Sequence, residues 1–197
     1  MELIHHHFDS ISSTNDWAKE QLETFSREKM TVVSADEQTA GRGQYGRQWI
    51  SPNSGNLYAS FCFFISEDQK DALSITHVMA ISIARLLLEE GISPQIKWPN
   101  DVLVGGKKIA GILCETVPMD CCTGIVVGLG LNINMSRDQF ASVGRPATSF
   151  AIEKGKTYDK EVLIGRLETL FSDALAQFLE SGFAPFLPTF RELVFHV

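Results

Sequence analysis

The chain has 197 residues, 44% hydrophobic and 21% charged, with a formal net charge of −7, an ordinary globular composition with enough length for one domain and a real core. The acidic balance, without a basic run or a helix-turn-helix pattern, argues against nucleic-acid binding, which needs a cationic face to displace counterions. The apolar stretches are too short and interrupted to predict a membrane span, and "MELIHHHFDS" lacks the basic start and apolar run of a signal peptide, so a cytoplasmic protein is expected.

In chain order, residues 3–8, "LIHHHF", read as a strand with His5 and His7 on one face and His6 on the other. No other histidine or cysteine cluster completes a metal site around them, so none is expected. Ser13 or Thr14 is placed to cap a helix carrying Trp17, Leu22 and Phe25. "MTVVSADE" predicts a buried strand. The loop "GRGQYGRQW", Gly41 to Trp49, runs on through "SPNSGN" to the strand "LYASFCFFI". From Asp71 to Glu90, apolar residues at 75, 78, 79, 86 and 87, with a serine at 82, mark a helix face that Gly91 ends.

"QIKWPNDVLVGGKKIAGILCETV" predicts strand, turn, strand, Gly-Gly hairpin and strand. "TGIVVGLGLNINM" is a further strand, whose glycines allow backbone or ligand to approach closely. Residues 135–148 read as loop. Asp159 to Leu179 is an amphipathic helix with apolar positions 163, 167, 170, 171, 174 and 178. "FAPFLPTFREL" predicts a second short helix interrupted by Pro188. Hairpins mixed with helices indicate the α+β class, a mixed β-sheet with helices on one face. The cysteines, Cys62, Cys114, Cys121 and Cys122, include no CxxC spacing, so zinc is not expected. The adjacent pair cannot easily close on itself, and reduced thiols are expected.

The glycines of the 41–49 loop let backbone N–H groups converge on an anion, and Arg42 and Arg47 can fork onto phosphate or carboxylate oxygens; the alternative is a solvated surface loop. Residues 41–46 spell G-x-G-x-x-G, but no helix start follows, so this is not a dinucleotide turn. Lys97 and Asp101 flank a Trp-Pro-Asn turn, and Lys108 returns across the hairpin. Two lysines near a carboxylate suit activation of a phosphoryl or carboxylate group, with the carboxylate helping to place Mg²⁺; the alternative is an edge hairpin with solvent-facing lysines. Asn132 and Asn134 lie in an apolar strand and must find polar partners. No G-x-S-x-G elbow or P-loop occurs, which argues against a serine hydrolase.

"STN" at 13–15, "QTAGRGQYGRQWISP" at 38–52, "GNLYAS" at 55–60, "KWPNDVLVGGKKIAGIL" at 97–113 and "GLGLNIN" at 128–134 together resemble the biotin protein ligases in order and spacing, over essentially the whole chain. The resemblance implies a mixed β-sheet backed by helices, akin to the class II aminoacyl-tRNA synthetase and lipoate ligase catalytic domain. It implies a two-step reaction. Biotin's carboxylate attacks the α-phosphate of MgATP to give biotinyl-5′-adenylate, and a lysine on the biotin carboxyl-carrier domain of acetyl-CoA carboxylase then displaces AMP.

By family position, the catalytic residues implied are Lys108, Asp101 and Arg47. Ser13, Thr14, Asn15, Gln38, Gly41, Arg42, Gly43, Trp49, Lys108 and Gly111 would hold biotin, with the Leu57–Ser60 strand as a wall. Arg42, Gln44, Arg47, Trp49, Lys97, Asn100, Asp101, Lys108 and Asn132 would hold the nucleotide, with Mg²⁺ at Asp101. The loop would close over the reactive anhydride and exclude water.

Three positions depart from the family pattern. Gln44 stands where many bacterial members carry arginine, which puts retention of the adenylate in doubt. Tyr45 replaces a frequent basic residue, and Pro146 falls where some members have an aromatic packed on adenine. The chain also has no counterpart of the N-terminal DNA-binding domain of the dual-function repressors. It ends at "RELVFHV", where many members continue into an SH3-like domain. The expectation is therefore a minimal ligase, a single catalytic domain over 1–197 without operator binding; the sequence itself does not give the oligomeric state, and the resemblance implies a homodimer only in that family members often pair through their sheets. The alternatives are a lipoate or octanoate ligase of the same fold, or a noncatalytic biotin- or nucleotide-binding protein. "KWPND" and the glycine loop favour biotin, and retention of Lys97, Asp101 and Lys108 favours catalysis.

Overall fold

Seven strands form one sheet in the order β1-β2-β3-β7-β6-β5-β4, and a computed structural model describes residues 1–195 other than 54, 70 and 143. The strands are β1 (Leu3–Ile11), β2 (Met30–Gln38), β3 (Leu57–Ile65), β4 (Pro94–Lys97), β5 (Asp101–Val104), β6 (Lys107–Pro118) and β7 (Thr123–Leu131). Among these described strands only β1 and β2 pair in parallel. A parallel pair needs a crossover, and α1 (Thr14–Gln21) provides it. The other helices are α2 (Ile75–Glu89), α3 (Phe150–Lys154), α4 (Lys160–Ser181) and α5 (Leu187–Leu193).

Alternation along β7 divides the molecule. Ile125, Val127, Leu129 and Leu131 point into the main core, where α2 and α4 bury Val78, Met79, Leu167, Phe171 and Phe178. The intervening Gly124, Val126, Gly128 and Gly130 face the other way, and α1 covers only part of that face through Ala18 and Leu22. Helices on one face therefore describes α2, α4 and α5, while α1 takes the opposite side. The remainder of that side, at the Gly128 and Gly130 end, is open. By length and composition α2, with the turn before it, is apolar enough to cross a membrane, although no such span is expected from the sequence. Its apolar residues lie in the core between the sheet and α4.

Local chemistry sets the boundaries. Ser13 caps α1, accepting from the Asp16 amide at 3.3 Å, and Asp159 caps α4 through the Glu161 and Val162 amides. Gly105 and Gly106, with φ of +53° and +75°, make the tight hairpin turn that L side chains rarely permit. Two expectations change. Pro188 lies in the first turn of α5 and does not interrupt it, because an N-terminal turn needs no N–H from proline. The short α3, capped by Ser149, was not anticipated. His5 and His7 share a face as expected, but Asp9 and Asp36 stand with His7, donor atoms within 4.8 Å. This set adds two carboxylates and no further histidine or cysteine. However, Lys160 already pairs with Asp36 at 2.5 Å.

Candidate active site

The open end of that sheet face is a cleft. Its floor is made by Gly111, Gly128 and Gly130, its roof by the 42–49 loop, and its far wall by the turn between β4 and β5. The glycines explain the cleft. A Cβ on Gly130 would lie 2.1 Å from the Trp49 indole, and one on Gly128 would lie 2.3 Å from Asn15 Oδ1. Any side chain here would expel the residues that line the space.

At one end the start of α1 meets β2 and β3. The Thr14 amide and hydroxyl donate to Gln38 Oε1 at 2.9 and 3.2 Å, and the Gln38 amide donates to Ser51 Oγ at 3.0 Å. The Ser60 hydroxyl lies 2.8 Å from Thr14 Oγ1 and 2.5 Å from Asn15 Oδ1. This buried polar set, braced from three elements, has the geometry to orient a small polar ring.

At the other end Lys108 Nζ is 2.6 Å from Asp101 Oδ1 and 4.9 Å from the centre of a Trp49 ring. A β-bulge between β5 and β6 at Val102/Leu103 sets the register that brings these residues together. Asn100 fixes the turn beside them, its side chain donating to the Ile112 carbonyl at 2.8 Å and its carbonyl accepting from the Ile112 amide at 3.0 Å. Arg47, Lys97 and Arg145 add positive charge to the same cleft, where Asp101 is the one carboxylate among the described lining residues.

Arg42 is engaged within the protein. It lines the cleft, but its guanidinium is gripped by Asp16 at 3.0 and 2.5 Å and by Glu115 at 3.2 and 3.0 Å. Lys19 shares both carboxylates, at 3.2 and 2.8 Å. Burial pushes the Glu115 carboxyl up, but Lys19, Asn15 and Arg42 outweigh it and hold the group below its usual range. Burial opposes the same effect at Asp16, which Arg42 and Lys19 hold low. Arg42 is therefore a latch tying the loop to α1 and β6, its charge engaged by two carboxylates.

Of the expected residues, Ser13, Thr14, Asn15, Gln38, Arg42, Gly43, Gln44, Arg47, Trp49, Lys97, Asn100, Asp101, Lys108 and Gly111 all line this cleft. Gly41 does not; it is buried beneath the loop, where a Cβ would lie 2.6 Å from the Trp49 carbonyl oxygen. Asn132 lines a second hollow that shares Gln48, Trp49, Lys108 and Arg145 with the first and adds Phe140, Pro146 and Ala147. Its amide nitrogen donates to the Thr148 and Lys108 carbonyls at 3.1 and 3.4 Å. Asn134 likewise bonds to the Gly55 and Tyr158 backbone; both asparagines lie just past the end of β7 at Leu131 and not within the strand as expected.

Sequence reasoning missed Glu115, Asp16, Phe140 and Arg145. An acid inside the apolar strand "GILCETV" and the arginine of "GRPATS" were the available signals.

The biotin/lipoate A/B protein ligase family matches residues 7–132 of the chain. The bifunctional ligase/repressor BirA of Bacillus spizizenii is 32% identical over 180 residues, covering 90% of this chain and 55% of that protein. The biotin–[acetyl-CoA-carboxylase] ligase of Paracoccus denitrificans is 35% identical over 159 residues, covering 78% of this chain and 66% of that one. Among solved structures, the biotin protein ligase of Aquifex aeolicus in complex with biotin and ATP superposes with a TM-score of 0.83 at 30% identity, over 100% of this chain and 79% of that one. The chain spans little more than half the length of the bifunctional relatives.

Proposed function

Because the chain belongs to the biotin/lipoate A/B protein ligase family, we propose that it attaches biotin to a lysine of a biotin carboxyl-carrier domain by way of biotinyl-5′-adenylate made from ATP. The observation that carries this reading is the Lys108–Asp101 pair, set at the junction of two hollows that meet at Trp49. The polar end at Thr14 and Gln38 suits the ureido ring of biotin. The second hollow, walled by Trp49, Phe140 and Pro146, suits adenine. Their junction then falls where carboxylate and α-phosphate must meet. The names of the relatives favour biotin over lipoate.

In the first step a carboxylate oxygen of biotin forms a bond to the α-phosphorus as the bond to the β-phosphate oxygen breaks, and pyrophosphate leaves with the electron pair. Two anions approach, so a fixed cation lowers the barrier most when it contacts both. Lys108 is that cation, held in place by Asp101 and Trp49. Arg47, Lys97 and Arg145 contribute the surrounding positive field. Mg²⁺ takes oxygen ligands, chiefly substrate phosphates with one or two carboxylates. Asp101, the one carboxylate among the described lining residues, is already paired, so the residues fit an ion that arrives on the nucleotide and offsets phosphate charge.

In the second step the carrier's lysine amine attacks the acyl carbon, the amide C–N bond forms, and the bond to AMP breaks. Asp101 is the group at hand to accept the proton released. Asn132 holds the Lys108 backbone and the 146–148 segment at the hollow that suits adenine. Incubating the chain with biotin, MgATP and an isolated carrier domain should yield one biotin per carrier by mass spectrometry. Absence of biotin on the carrier, or labelling with lipoate instead, would contradict the proposal.

A further inference from the structure

The hairpin joining β6 to β7 carries a feature that biotin transfer does not use. Cys121 and Cys122 are neighbours in the chain, and Arg27 Nη1 donates to both sulfurs, at 3.0 Å to Cys121 Sγ and 3.1 Å to Cys122 Sγ. Two sulfurs that share one nitrogen in this way lie within about 6 Å of each other. The guanidinium is itself positioned, its Cζ 5.6 Å from the centre of the Phe64 ring on β3. Cys121 is exposed, whereas Cys122 is 8% exposed.

Adjacency decides what such a pair can do. Neighbouring Cα atoms are about 3.8 Å apart, below the ~4.4–6.8 Å range of ordinary disulfides. Direct S–S closure therefore distorts the backbone. A third atom bonded to both sulfurs lengthens the bridge and removes that constraint. Thiolates are soft ligands and select thiophilic centres over hard cations such as Mg²⁺. The Arg27 guanidinium, within hydrogen-bond reach of both sulfurs, holds the two side chains toward one point. The other two cysteines cannot form a rival chelate with each other: Cys62 packs on the α1 side of the sheet and Cys114 on the α2/α4 side.

We propose that Cys121 and Cys122, assisted by Arg27, form a bidentate site for a thiophilic ion of the trivalent-arsenic class. With an aryl arsenoxide the step balances: both S–H bonds and the As=O bond break, two As–S bonds form, and the two protons leave with the oxygen as one water. The site is remote from the cleft, because the eight residue-to-residue steps from Cys122 to Gly130 along an extended strand span about 26 Å. Occupancy should therefore leave adenylation unchanged.

The test is titration of the full, reduced chain with phenylarsine oxide, read by intact mass. One equivalent should bind with loss of one water, resist excess monothiol and be removed by 2,3-dimercaptopropanol. Cys121→Ser, at an exposed position, should abolish monothiol-resistant uptake, as should Cys122→Ala. Cys114→Ser should retain it, and Arg27→Gln should slow it severalfold. Circular dichroism of each variant separates loss of the site from loss of the fold. Monothiol-resistant uptake that survives in folded Cys121→Ser, or no uptake by the parent chain, would overturn the proposal.

Discussion

Lys108 stands 2.6 Å from Asp101 across the β5–β6 pairing, with the Trp49 ring 4.9 Å from its ammonium. The ammonium is thus positioned before any substrate arrives, and a donor already in place needs no reorganisation during reaction. Replacing it should therefore affect chemistry more than binding. Lys108→Ala should slow adenylate formation by about 10²–10³-fold with little change in thermal stability. A near-normal single-turnover rate would remove Lys108 from the mechanism.

The glycines of β7 predict two different failures. Gly128→Ala drives a Cβ to 2.3 Å from Asn15 Oδ1, on a helix that cannot easily retreat. Overpacking of this kind costs about 1–3 kcal/mol, and for a chain of this size each kcal/mol lowers Tm by roughly 2–4 °C. Gly130→Ala meets Trp49, which sits on a loop and can swing away. That variant should melt near the parent and lose activity. Differential scanning calorimetry beside an activity assay separates the two.

Acid should loosen the Arg42 latch. Glu115 and Asp16 are held below their ordinary values of 4.5 and 3.8, so their contribution to stability is complete above those values. It is lost as pH falls through the lower folded values. Glu115→Gln should flatten the acid limb of the stability profile below about pH 4.5. An unchanged limb would show that the network contributes nothing.

Phe140 and Gln44 should separate nucleotide binding from retention of the intermediate. Phe140→Ala should raise KM for ATP severalfold and leave KM for biotin nearly unchanged, because Phe140 lines only the second hollow. Gln44→Arg adds a cation to the cleft wall and should slow escape of the adenylate, measured by filter retention of labelled intermediate. Equal loss for both substrates, or unchanged escape, would count against these placements.

Much of this was legible in the sequence because it is local. "LYASFCFFI" marks β3 at both ends, the Gly-Gly turn and the Ser13 cap follow from backbone chemistry, and four separated motifs converge on one cleft. What escaped depends on distant partners. The sequence shows Arg42 as a loop cation, but its charge is engaged by Asp16 and Glu115, which lie 26 and 73 positions away in the chain. Phe140 and Arg145 sit in a stretch without periodicity, so only the pairing of Lys108 with Pro146 and Thr148 shows that they reach the site.

The central claim is adenylation of biotin at the Lys108–Asp101 pair, and the most direct measurement is biotin-dependent ATP–pyrophosphate exchange with Mg²⁺, with lipoate run in parallel. Exchange with biotin alone, lost in Lys108→Ala, is the predicted result. Exchange with lipoate, or with neither acid, would contradict the account.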